Sequence, residues 1–322
     1  MATPGWTRSE APFHQGEIAI HTRMGVREKI DEIGRRVIRD FLPEQHRKFF
    51  AKIPYIIVGS VDDVGRPWAS VLLGNPGFIS SPDVHTLHIT AQPLFGDPFA
   101  QILAKDINIG LLGIELDTRR RNRLNGVVTS IEVDGFELRV AQSFGNCPKY
   151  IQARTAEWVD FEPTTPKPVY EITALMEAER SLIAAADTFF IATAYQAEVA
   201  GAAGGVDVSH RGGKPGFVRV DDDGTLTVPD FAGNYMFNTF GNLEMNPRAG
   251  LLFADFSQGD LLYLTGRATI VWEGEEIQTY EGAERLLKFH PEQGRRVAGS
   301  LPLRWSDPEL SPFLTATGPW QT

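Results

Sequence analysis

The hydrophobic pattern of the chain changes character at Pro54. Before it, residues 25–41 repeat their apolar side chains on one helical face, and Pro43 opens a second short helix that runs to Phe50. Residues 1–22 are polar and contain prolines and glycines, so we expect a loosely held arm there. After Pro54, short runs of β-branched and aromatic residues alternate with turn sequences, a pattern typical of strands. The chain therefore begins with helices and continues as a mainly β protein.

Strands and turns follow one another closely in two regions. The first is expected to contain strands at 55–61, 68–73, 86–90, 124–133 and 136–142, an apolar run at 107–116 and a short helix at 98–104. The second is expected to contain a helix at 172–183, strands at 188–195, 217–220, 226–228, 249–256 and 261–272, and a helix at 276–290. Such short strands at close spacing favour a barrel or a sandwich over a βαβ sheet. The tail that follows is rich in tryptophan and proline and is expected to pack against the protein.

A proline-rich connector at residues 161–168 separates the two β regions. It predicts an N-terminal arm with helices at 1–50, a first β domain at 51–160 and a second β domain at 170–322.

The two β regions also resemble each other. Gly250 lies 140 residues after Gly110, each at the start of a Gly-Leu-Leu sequence, and Gly266 lies 140 residues after Gly126. The spacing is kept through a strand, a turn and a second strand. We therefore expect two copies of one small β-barrel.

Charge and cysteine content exclude several classes of function. The formal net charge is −10, and so acidic a chain is a poor candidate for binding nucleic acid or an anionic membrane through a basic face. The single cysteine, Cys147, allows neither an intrachain disulfide nor a cysteine-based zinc site. His85 and His88 lie on opposite faces of a predicted strand, so no metal site is expected there. Residues 1–10 lack the order of a signal peptide and no apolar run approaches a membrane span, which predicts a soluble, cytoplasmic protein.

Basic, small and amide-bearing residues gather between apolar runs at 207–242. Arg211 and Lys214 are flanked by glycines, which let the backbone approach a ligand and expose its N–H groups. A helix starting at Phe237 would add its own free N–H groups. Neutral donors follow within nine residues, at Asn234, Asn238, Thr239 and Asn242. The set suits a phosphate monoester, which carries about −1.5 to −2 charges. The alternative is that these residues only cap a helix and shape turns.

Three stretches resemble the pyridoxamine 5'-phosphate oxidase-like split-barrel flavoproteins, and most closely the long bacterial members that carry two such barrels. They are DVSHRGGKPGFV at 207–218, FNTFGNLEMNPRAGLLF at 237–253 and QSFGNCPKYI at 142–151. The resemblance covers most of residues 50–275. It implies two tandem antiparallel split β-barrels with flanking helices, and a flavin mononucleotide (FMN) lying in a groove between the barrels.

The resemblance also implies which residues bind FMN. In that family the strand before the Asn-Leu-x-x-Asn-Pro-Arg motif carries phosphate-binding residues, which points to Asn238 and Thr239. Arg211 and Lys214 are implied as polar contacts of the flavin ring. Many relatives have Lys or Arg at the position of Thr239, so Arg211 or Arg267 is expected to supply the missing charge. The implied cofactor-binding set is Ser209, His210, Arg211, Lys214, Pro215, Asn234, Asn238, Thr239, Asn242 and Arg267.

Two further segments have more than one interpretation. The loop 92–98 of the first repeat has no cation and carries Asp97, so the first barrel is expected to have lost its own phosphate site and to act as a wall. The basic run 119–123 is either a solvated hairpin or a docking point for a nicotinamide dinucleotide phosphate or a partner reductase. The resemblance places four more residues near the groove, namely Asn146, Cys147, Lys149 and Tyr150. Cys147 is interpreted as a buried structural thiol, with catalysis as the alternative.

The resemblance implies an FMN-dependent oxidoreductase acting on a small-molecule substrate, with catalytic residues that the sequence does not identify. Its electron donor would be a nicotinamide cofactor or a reductase, and a homodimer is expected. No G-x-G-x-x-G sequence follows a strand, so no Rossmann-type domain is built in. No second phosphate site offers itself for pyridoxamine phosphate as the substrate. The alternatives are a carrier of FMN, a deazaflavin or haem, with His210 as the only histidine inside the motif, and a structural paralogue that binds nothing.

Overall fold

The protein consists mainly of strands and also contains several short helices. A computed structural model describes residues 5–159 and 165–321 of the 322-residue chain. The α-helices are α1 (Gln15–Arg23), α2 (Arg27–Val37), α3 (Glu44–Lys52), α4 (Phe99–Ile102), α5 (Glu177–Ala185), α6 (Asn238–Met245) and α7 (Glu275–Gln278). Short 3-10 helices occupy Glu198–Ala203 and Pro312–Ala316.

Strands account for most of the remaining regular structure. The first half contains β1 (Tyr55–Val61), β2 (Pro67–Leu73), β3 (Ile79–Ser80), β4 (Thr86–Ile89), β5 (Asn108–Glu115), β6 (Arg120–Ile131), β7 (Phe136–Gly145) and β8 (Ala156–Trp158). The second half contains β9 (Val169–Ile172), β10 (Thr188–Tyr195), β11 (Gly205–Gly212), β12 (Arg219–Val220), β13 (Leu226–Phe231), β14 (Arg248–Ala254), β15 (Leu261–Val271), β16 (Ala283–Val297) and β17 (Leu303–Trp305).

Two large antiparallel sheets share one topology. The first sheet has the strand order β2-β1-β5-β6-β7-β4-β3, and the second has the order β11-β10-β14-β15-β16-β13-β12, with β9 added beside β16. Strands in equivalent positions therefore follow the same sequence order in both halves. The register repeats as well, since Leu112 pairs with Arg123 and Leu252 pairs with Tyr263. The expectation of a mainly β protein with helices is confirmed.

The described residues form four apolar cores, of which three lie within or between the sheets and a fourth lies under the N-terminal helices. One lies inside the first half, where Val58 and Leu111 pack against Phe50 of α3. A second lies inside the second half and contains Ile191 and Phe253. The third combines side chains from both halves, including Ile57, Trp68, Val208 and Leu252. Because β2 and β5 of the first sheet pack on β14 and β11 of the second, the third core is the interface between the two sheets.

Most predicted strands are present with shifted ends, whereas β11, which carries Ser209 to Arg211, and the edge strands β3, β8, β9 and β17 were not predicted. The start of β6 is the shift that matters for function. The sequence predicted a basic turn up to residue 123, whereas β6 begins at Arg120. Arg121 and Arg123 consequently lie on a strand at the sheet interface, so the solvated hairpin is wrong for these two residues.

The predicted helix at 276–290 is wrong. Helix α7 ends at Gln278, and Gly282 adopts a φ of 86°, a conformation that stops a helix. The strand β16 then pairs with β15 along one edge and with β13 and β9 along the other. The Glu- and Leu-rich composition of this segment favours a helix locally, but the ladder bonds of a central strand outweigh that preference.

The predicted loose arm is also wrong over the described residues 5–22. Helix α1 has its N-cap at His14, whose side chain accepts a hydrogen bond from the Gly16 amide. Trp6, Phe13 and Ile20 are buried. The segment packs against α6 and α2 because its few apolar and buried polar residues face inward, which its polar composition conceals.

The tail packs as expected, since Trp320 donates from Nε1 to the Phe217 carbonyl at 3.1 Å. The predicted connector falls partly on residues 160–164, which lie outside the described residues, and the division into domains stays a prediction. Within the described ranges, no helix has the length and apolar character needed to cross a membrane.

Candidate functional site

One pocket draws its walls from both halves of the chain. Its cavity volume is about 120 Å³. The walls are β6, the segment 146–150, β11, β13, the loop 233–237, the first turn of α6 and one residue of β16. Pockets that enclose a whole drug-sized ligand usually measure about 300–1,000 Å³. This cavity is therefore large enough to enclose only one part of a ligand of that size.

Arg123 crosses from the first sheet to the second half of the chain. Its Nη1 donates to the two carboxylate oxygens of Asp207 at 2.9 and 3.0 Å and to Asn238 Oδ1 at 3.1 Å. Burial lowers the pKa of Arg123 and raises the pKa of Asp207, while their mutual attraction opposes both shifts. The charge of Arg123 is thus matched by one buried carboxylate.

Arg121 lies two residues earlier on β6, on the same strand face, and also lines the pocket. Its Nε donates to the Cys147 carbonyl at 2.7 Å, and its Nη1 lies 3.5 Å from the His210 carbonyl. None of the ion pairs formed by the described residues includes Arg121. Burial, together with the positive charges of Arg123 and Arg211, lowers the pKa of Arg121 to about 9. An anion in the pocket would relieve this repulsion.

The N-terminus of α6 is the second feature that suits an anion. Phe237 precedes the helix in a left-handed conformation with φ 56°. Thr239 Oγ1 then donates to Ser209 Oγ at 3.1 Å, which fastens the first turn to β11. Both hydroxyls line the pocket. The first amides of a helix lack intrahelical partners and carry partial positive charge, so they stabilise negative groups.

A carboxylate shared by two arginines forms another wall. Asp230 accepts hydrogen bonds from Arg211 and, at 3.0 Å, from Nε of Arg285. The Arg211 guanidinium lies 4.9 Å from the ring centroid of Phe240, and the Arg285 guanidinium lies 5.0 Å from that of Phe237. These contacts fix both guanidinium groups against aromatic faces.

His210 is buried beside this wall without a hydrogen-bond partner for either ring nitrogen among the described residues. Burial, and then the charges of Arg121, Arg211 and Arg154, holds its pKa well below 6.5. The imidazole is therefore neutral at physiological pH. A neutral ring that lines the pocket offers one donor and one acceptor to a bound molecule.

Backbone strain concentrates at the same place. Tyr150, Tyr235 and Phe237 have φ values of 65°, 60° and 56°, and all three line the pocket. Left-handed conformations are costly for residues with bulky side chains, and they cluster at functional sites. Cys147 lies beside them, half-buried and free.

A second layer of polar residues supports α6 from behind. Asn238 Nδ2 donates to Glu17 Oε1 at 2.5 Å, and the His14 amide donates to Glu17 Oε2 at 2.9 Å. Burial raises the pKa of Glu17 to about 8 and lowers the pKa of His14 to about 4. Asn242 bridges His14 and Thr193 at 2.9 and 3.1 Å. The N-terminal segment thus fixes the residues that carry the helix N-terminus.

The structure brings together six of the ten cofactor residues expected from the sequence. Those that line the pocket are Ser209, His210, Arg211, Asn234, Asn238 and Thr239. Asn242 is buried in the supporting layer, and the Lys214 ammonium donates to the Thr317 carbonyl instead. Pro215 and Arg267 are exposed and contribute nothing to the pocket walls.

Sequence reasoning missed Arg121, Arg123 and Arg285 as parts of the pocket. Arg285 was hidden by the wrong helix at 276–290. The other two could have been found from the internal repeat. At their equivalent positions, 140 residues later, the second half has Leu261 and Tyr263. The first copy has arginines at these two positions and the second copy has a leucine and a tyrosine. This difference indicates that the two copies use the positions for different functions.

The equivalent place in the first half is filled by the protein itself. Ser70 Oγ donates to Asp97 Oδ1 at 2.6 Å, and the Tyr263 hydroxyl donates to Asp97 Oδ2 at 3.2 Å. Ser70 matches Ser209 in strand register, and Tyr263 matches Arg123. Burial raises the pKa of Asp97 to about 6. Asp97 thus lies beside the residue equivalent to Ser209, and the loss of a phosphate site in the first half stays a prediction.

Residues 175–302 match the sequence family described as "Pyridoxamine 5'-phosphate oxidase". The resemblance is thereby confirmed for this part of the chain, which is a split-barrel domain of that type. No curated protein matches the sequence.

Two solved structures resemble the C-terminal part of the chain. HupZ from Group A Streptococcus is 17% identical over 37% of this chain and 90% of that chain, with a TM-score of 0.28. The conserved hypothetical protein Rv2991 from Mycobacterium tuberculosis is 17% identical over 39% of this chain and 87% of that chain, with a TM-score of 0.29.

Proposed function

We propose that the chain binds FMN in the pocket between its two sheets and acts as a flavin-dependent oxidoreductase. The observation that carries the proposal is a group of partly or fully buried arginines beside hydroxyls and a helix N-terminus, within a domain of the pyridoxamine 5'-phosphate oxidase type. We further propose that the first sheet is a second split barrel, which contributes a wall to this pocket but has lost its own phosphate site. Its identical strand order supports that view.

The donors of the pocket fit the phosphate end of FMN. The cations that line it are Arg121, Arg123, Lys149, Arg211 and Arg285. The carboxylates paired with them are Asp207, Asp230 and Glu284. This leaves a net positive pocket. Among the described residues, Nε of Arg123, Nε of Arg211 and both ring nitrogens of His210 also have no partner. A buried donor without a partner is costly, and a ligand oxygen removes that cost.

Each wall has a role in this arrangement. Ser209, Thr239 and the first amides of α6 would hold the phosphate, with Asn238 held in place by Arg123 and Glu17. The strained segments at Tyr150 and Tyr235 would face the remainder of the ligand. Bound FMN supplies electron and hydride transfer, while the protein binds and orients it. We propose that the substrate is a small molecule and that a nicotinamide cofactor or a reductase supplies the reducing equivalents. We also propose that the chain forms a homodimer.

An absorption spectrum of the purified protein, followed by titration of FMN, tests the proposal. We expect a flavin spectrum near about 450 nm, or uptake of added FMN with quenching of its fluorescence. A Soret band would assign haem instead, with His210 as the candidate ligand. A colourless protein that also takes up no FMN would contradict the proposal.

Two variants make the test specific to this pocket. Thr239→Val removes a hydroxyl at the helix N-terminus and should raise the dissociation constant of FMN about tenfold, the worth of one hydrogen bond to a charged group. Arg267→Gln is the matched control, because Arg267 is exposed and away from the pocket, and it should leave the affinity unchanged. Equal effects of the two variants would place the FMN elsewhere.

A further inference from the structure

A phosphate in the pocket needs more positive charge than its paired arginines supply. A phosphate monoester carries about −1.5 to −2 charges, and a helix N-terminus contributes about +0.5. Arg211 and Arg285 share the carboxylate of Asp230, and Arg285 also pairs with Glu284. Arg123 faces Asp207. These arginines therefore add little net charge. Thr239 is neutral, and Arg267 is exposed outside the pocket.

Arg121 and Lys149 are the pocket cations that remain, and they differ in their surroundings. The Lys149 ammonium lies over the Phe313 ring at 5.2 Å, whereas Arg121 lies close to Arg123 and Arg211. The hydrogen bonds of Arg121 go to two backbone carbonyls, of Cys147 and His210, and no ion pair of the described residues engages it. The longer of these contacts, at 3.5 Å, is at the limit of a hydrogen bond. A desolvated charge without a counter-charge is costly to the folded protein, and the neighbouring Arg123 and Arg211 increase that cost.

The internal repeat shows that the fold does not require an arginine here. The equivalent strand β15 has Leu261 at the position of Arg121, and Leu261 is fully buried in the core between the sheets. In the first half the Asp97 carboxylate, which lies just before helix α4, accepts hydrogen bonds from Ser70 and from the Phe99 amide. In the second half, by contrast, Thr239 in the first turn of α6 donates to Ser209. The same framework thus accepts either an arginine that lines a pocket or a fully buried leucine at this position.

We propose that Arg121, reaching across from the first sheet, binds the phosphate group and makes the pocket select FMN over riboflavin. This inference rests on the proposed function. It assigns to the first half of the chain a direct contact with the ligand of the second half. It also explains how a chain with threonine at position 239 neutralises a dianion.

The test compares the dissociation constants of FMN and riboflavin, measured by flavin fluorescence, for the wild-type protein and for Arg121→Gln. Riboflavin lacks only the phosphate. We expect Arg121→Gln to weaken FMN binding on the order of 10–100-fold, the loss of one hydrogen-bonded charge, and to change riboflavin binding less than about threefold. Arg120→Gln is the matched control. Arg120 directly precedes Arg121 on β6, lies over the Phe49 ring at 4.7 Å and is not part of the pocket wall. Both affinities of Arg120→Gln should therefore stay at the wild-type values.

The outcomes separate this inference from the proposed function. A wild-type protein that binds neither flavin overturns both. A wild-type protein that binds FMN, with an unchanged preference for FMN in Arg121→Gln, overturns the role of Arg121 alone. The same holds if the variant lowers the flavin reduction potential while keeping that preference, because Arg121 would then face the ring.

A second variant covers the case in which Arg121→Gln does not fold. Arg121→Lys keeps the charge and loses the planar, two-pronged donor, so its FMN affinity should fall about three- to tenfold with riboflavin binding unchanged. A loss shared equally by both ligands would contradict the proposal. Circular dichroism and thermal melting establish that each variant is folded.

Discussion

At the scale of single residues, the pocket depends on a buried acid, Glu17, that lies behind its wall and not in it. Glu17 accepts hydrogen bonds from Asn238 and from the His14 amide, and Asn238 in turn accepts from Arg123. The titratable groups around Glu17 are Asp207, whose charge raises its pKa, Arg123, whose charge lowers it, and the His14 imidazole, whose Nε2 lies 3.7 Å from Glu17 Oε2. Burial is the largest cause and raises the pKa of Glu17 to about 8. Neutral Glu17 is therefore part of the folded state at neutral pH.

The Glu17 carboxyl should make the protein less stable as pH rises. Its folded pKa of about 8 lies above the ordinary value of 4.5, so the folded state retains a proton that the unfolded state has released. The contribution of Glu17 to stability should then fall by about 1.4 kcal/mol per pH unit from about 4.5 up to about 8. The unfolded-state histidines and Asp97 still titrate near pH 6.5, so Glu17 is isolated by the difference in slope between the wild type and a variant that cannot ionise at this position, measured from about pH 6.5 to 8.

Urea unfolding at several pH values in that window tests the effect. Glu17→Gln cannot ionise, so its slope of unfolding free energy against pH should be more positive than that of the wild type by about 1 kcal/mol per unit. Its absolute stability should also drop by about 1 kcal/mol, because the amide group of glutamine meets the donating His14 amide. The control is Glu28→Gln, an exposed residue of α2, which should keep the wild-type slope. An unchanged slope in Glu17→Gln would show that Glu17 is ionised in the folded protein.

Much of the pocket could be anticipated from residue type alone, and the remainder could not. Ser209, Arg211 and Thr239 stand within a recognisable local motif. Arg121 and Glu17 lie 88 and 192 residues before Ser209, in segments whose polar composition resembles exposed chain. Their partners are fixed by tertiary contacts that no local pattern encodes. The asymmetry between the two repeats was the available sign for Arg121, whereas Glu17 had none.

At the scale of elements, helix α1 is held against α6 at a contact between two glycines. A Cβ added to Gly16 would lie 2.1 Å from the Gly241 carbonyl oxygen, and one added to Gly241 would lie 2.7 Å from the Glu17 amide nitrogen. Only glycine permits this approach, which brings Glu17 within reach of Asn238. The contact therefore couples the N-terminal segment to the first turn of α6, the helix proposed to bind the phosphate.

Gly16→Ala should separate the two helices. Alanine in place of glycine normally stabilises a helix by up to about 1 kcal/mol, so the sign of the effect discriminates. Here we expect destabilisation of about 1–3 kcal/mol from the clash, together with weaker FMN binding as α6 shifts. Denaturant unfolding and FMN titration measure the two effects. Gly145→Ala is the control, since its added Cβ would meet only Asn122 Oδ1 at 3.7 Å, and stabilisation by Gly16→Ala would refute the contact.

The elements most open to misprediction were those with conflicting local and global preferences. The strand β16 runs through residues that favour a helix, and it is a strand because it hydrogen-bonds with β15 and β13 at once. The strands β1 and β10, by contrast, are continuous β-branched and aromatic runs whose local preference agrees with the sheet. Sequence patterns predicted these well because both levels of structure favour the same conformation.

At the scale of the whole molecule, equivalent glycines of the two repeats lie where the two sheets pack against each other. Gly110 on β5 approaches β11, where an added Cβ would lie 2.6 Å from the Val206 carbonyl oxygen. Gly250 on β14 approaches β2, where an added Cβ would lie 2.3 Å from the Pro67 carbonyl oxygen. The strand registers make these two contacts equivalent. The glycine that revealed the repeat in the sequence is thus the residue that lets the two sheets meet.

Alanine at these two glycines should reveal whether the sheets pack as rigid bodies. Gly110→Ala and Gly250→Ala should each lower the unfolding free energy by about 2–4 kcal/mol, because the clash is with backbone and cannot be relieved by a side-chain rotation. Each clash should push the same two sheets apart, and a sheet displaced at one contact already leaves room at the other. The double variant should therefore cost at least about 1 kcal/mol less than the sum of the single effects. Chemical unfolding of the four proteins measures this coupling, with Gly145→Ala as the single-site control. Strict additivity would mean that each contact relaxes locally. The pocket walls contributed by Arg121 and Arg123 could then be displaced without moving the rest of the first sheet.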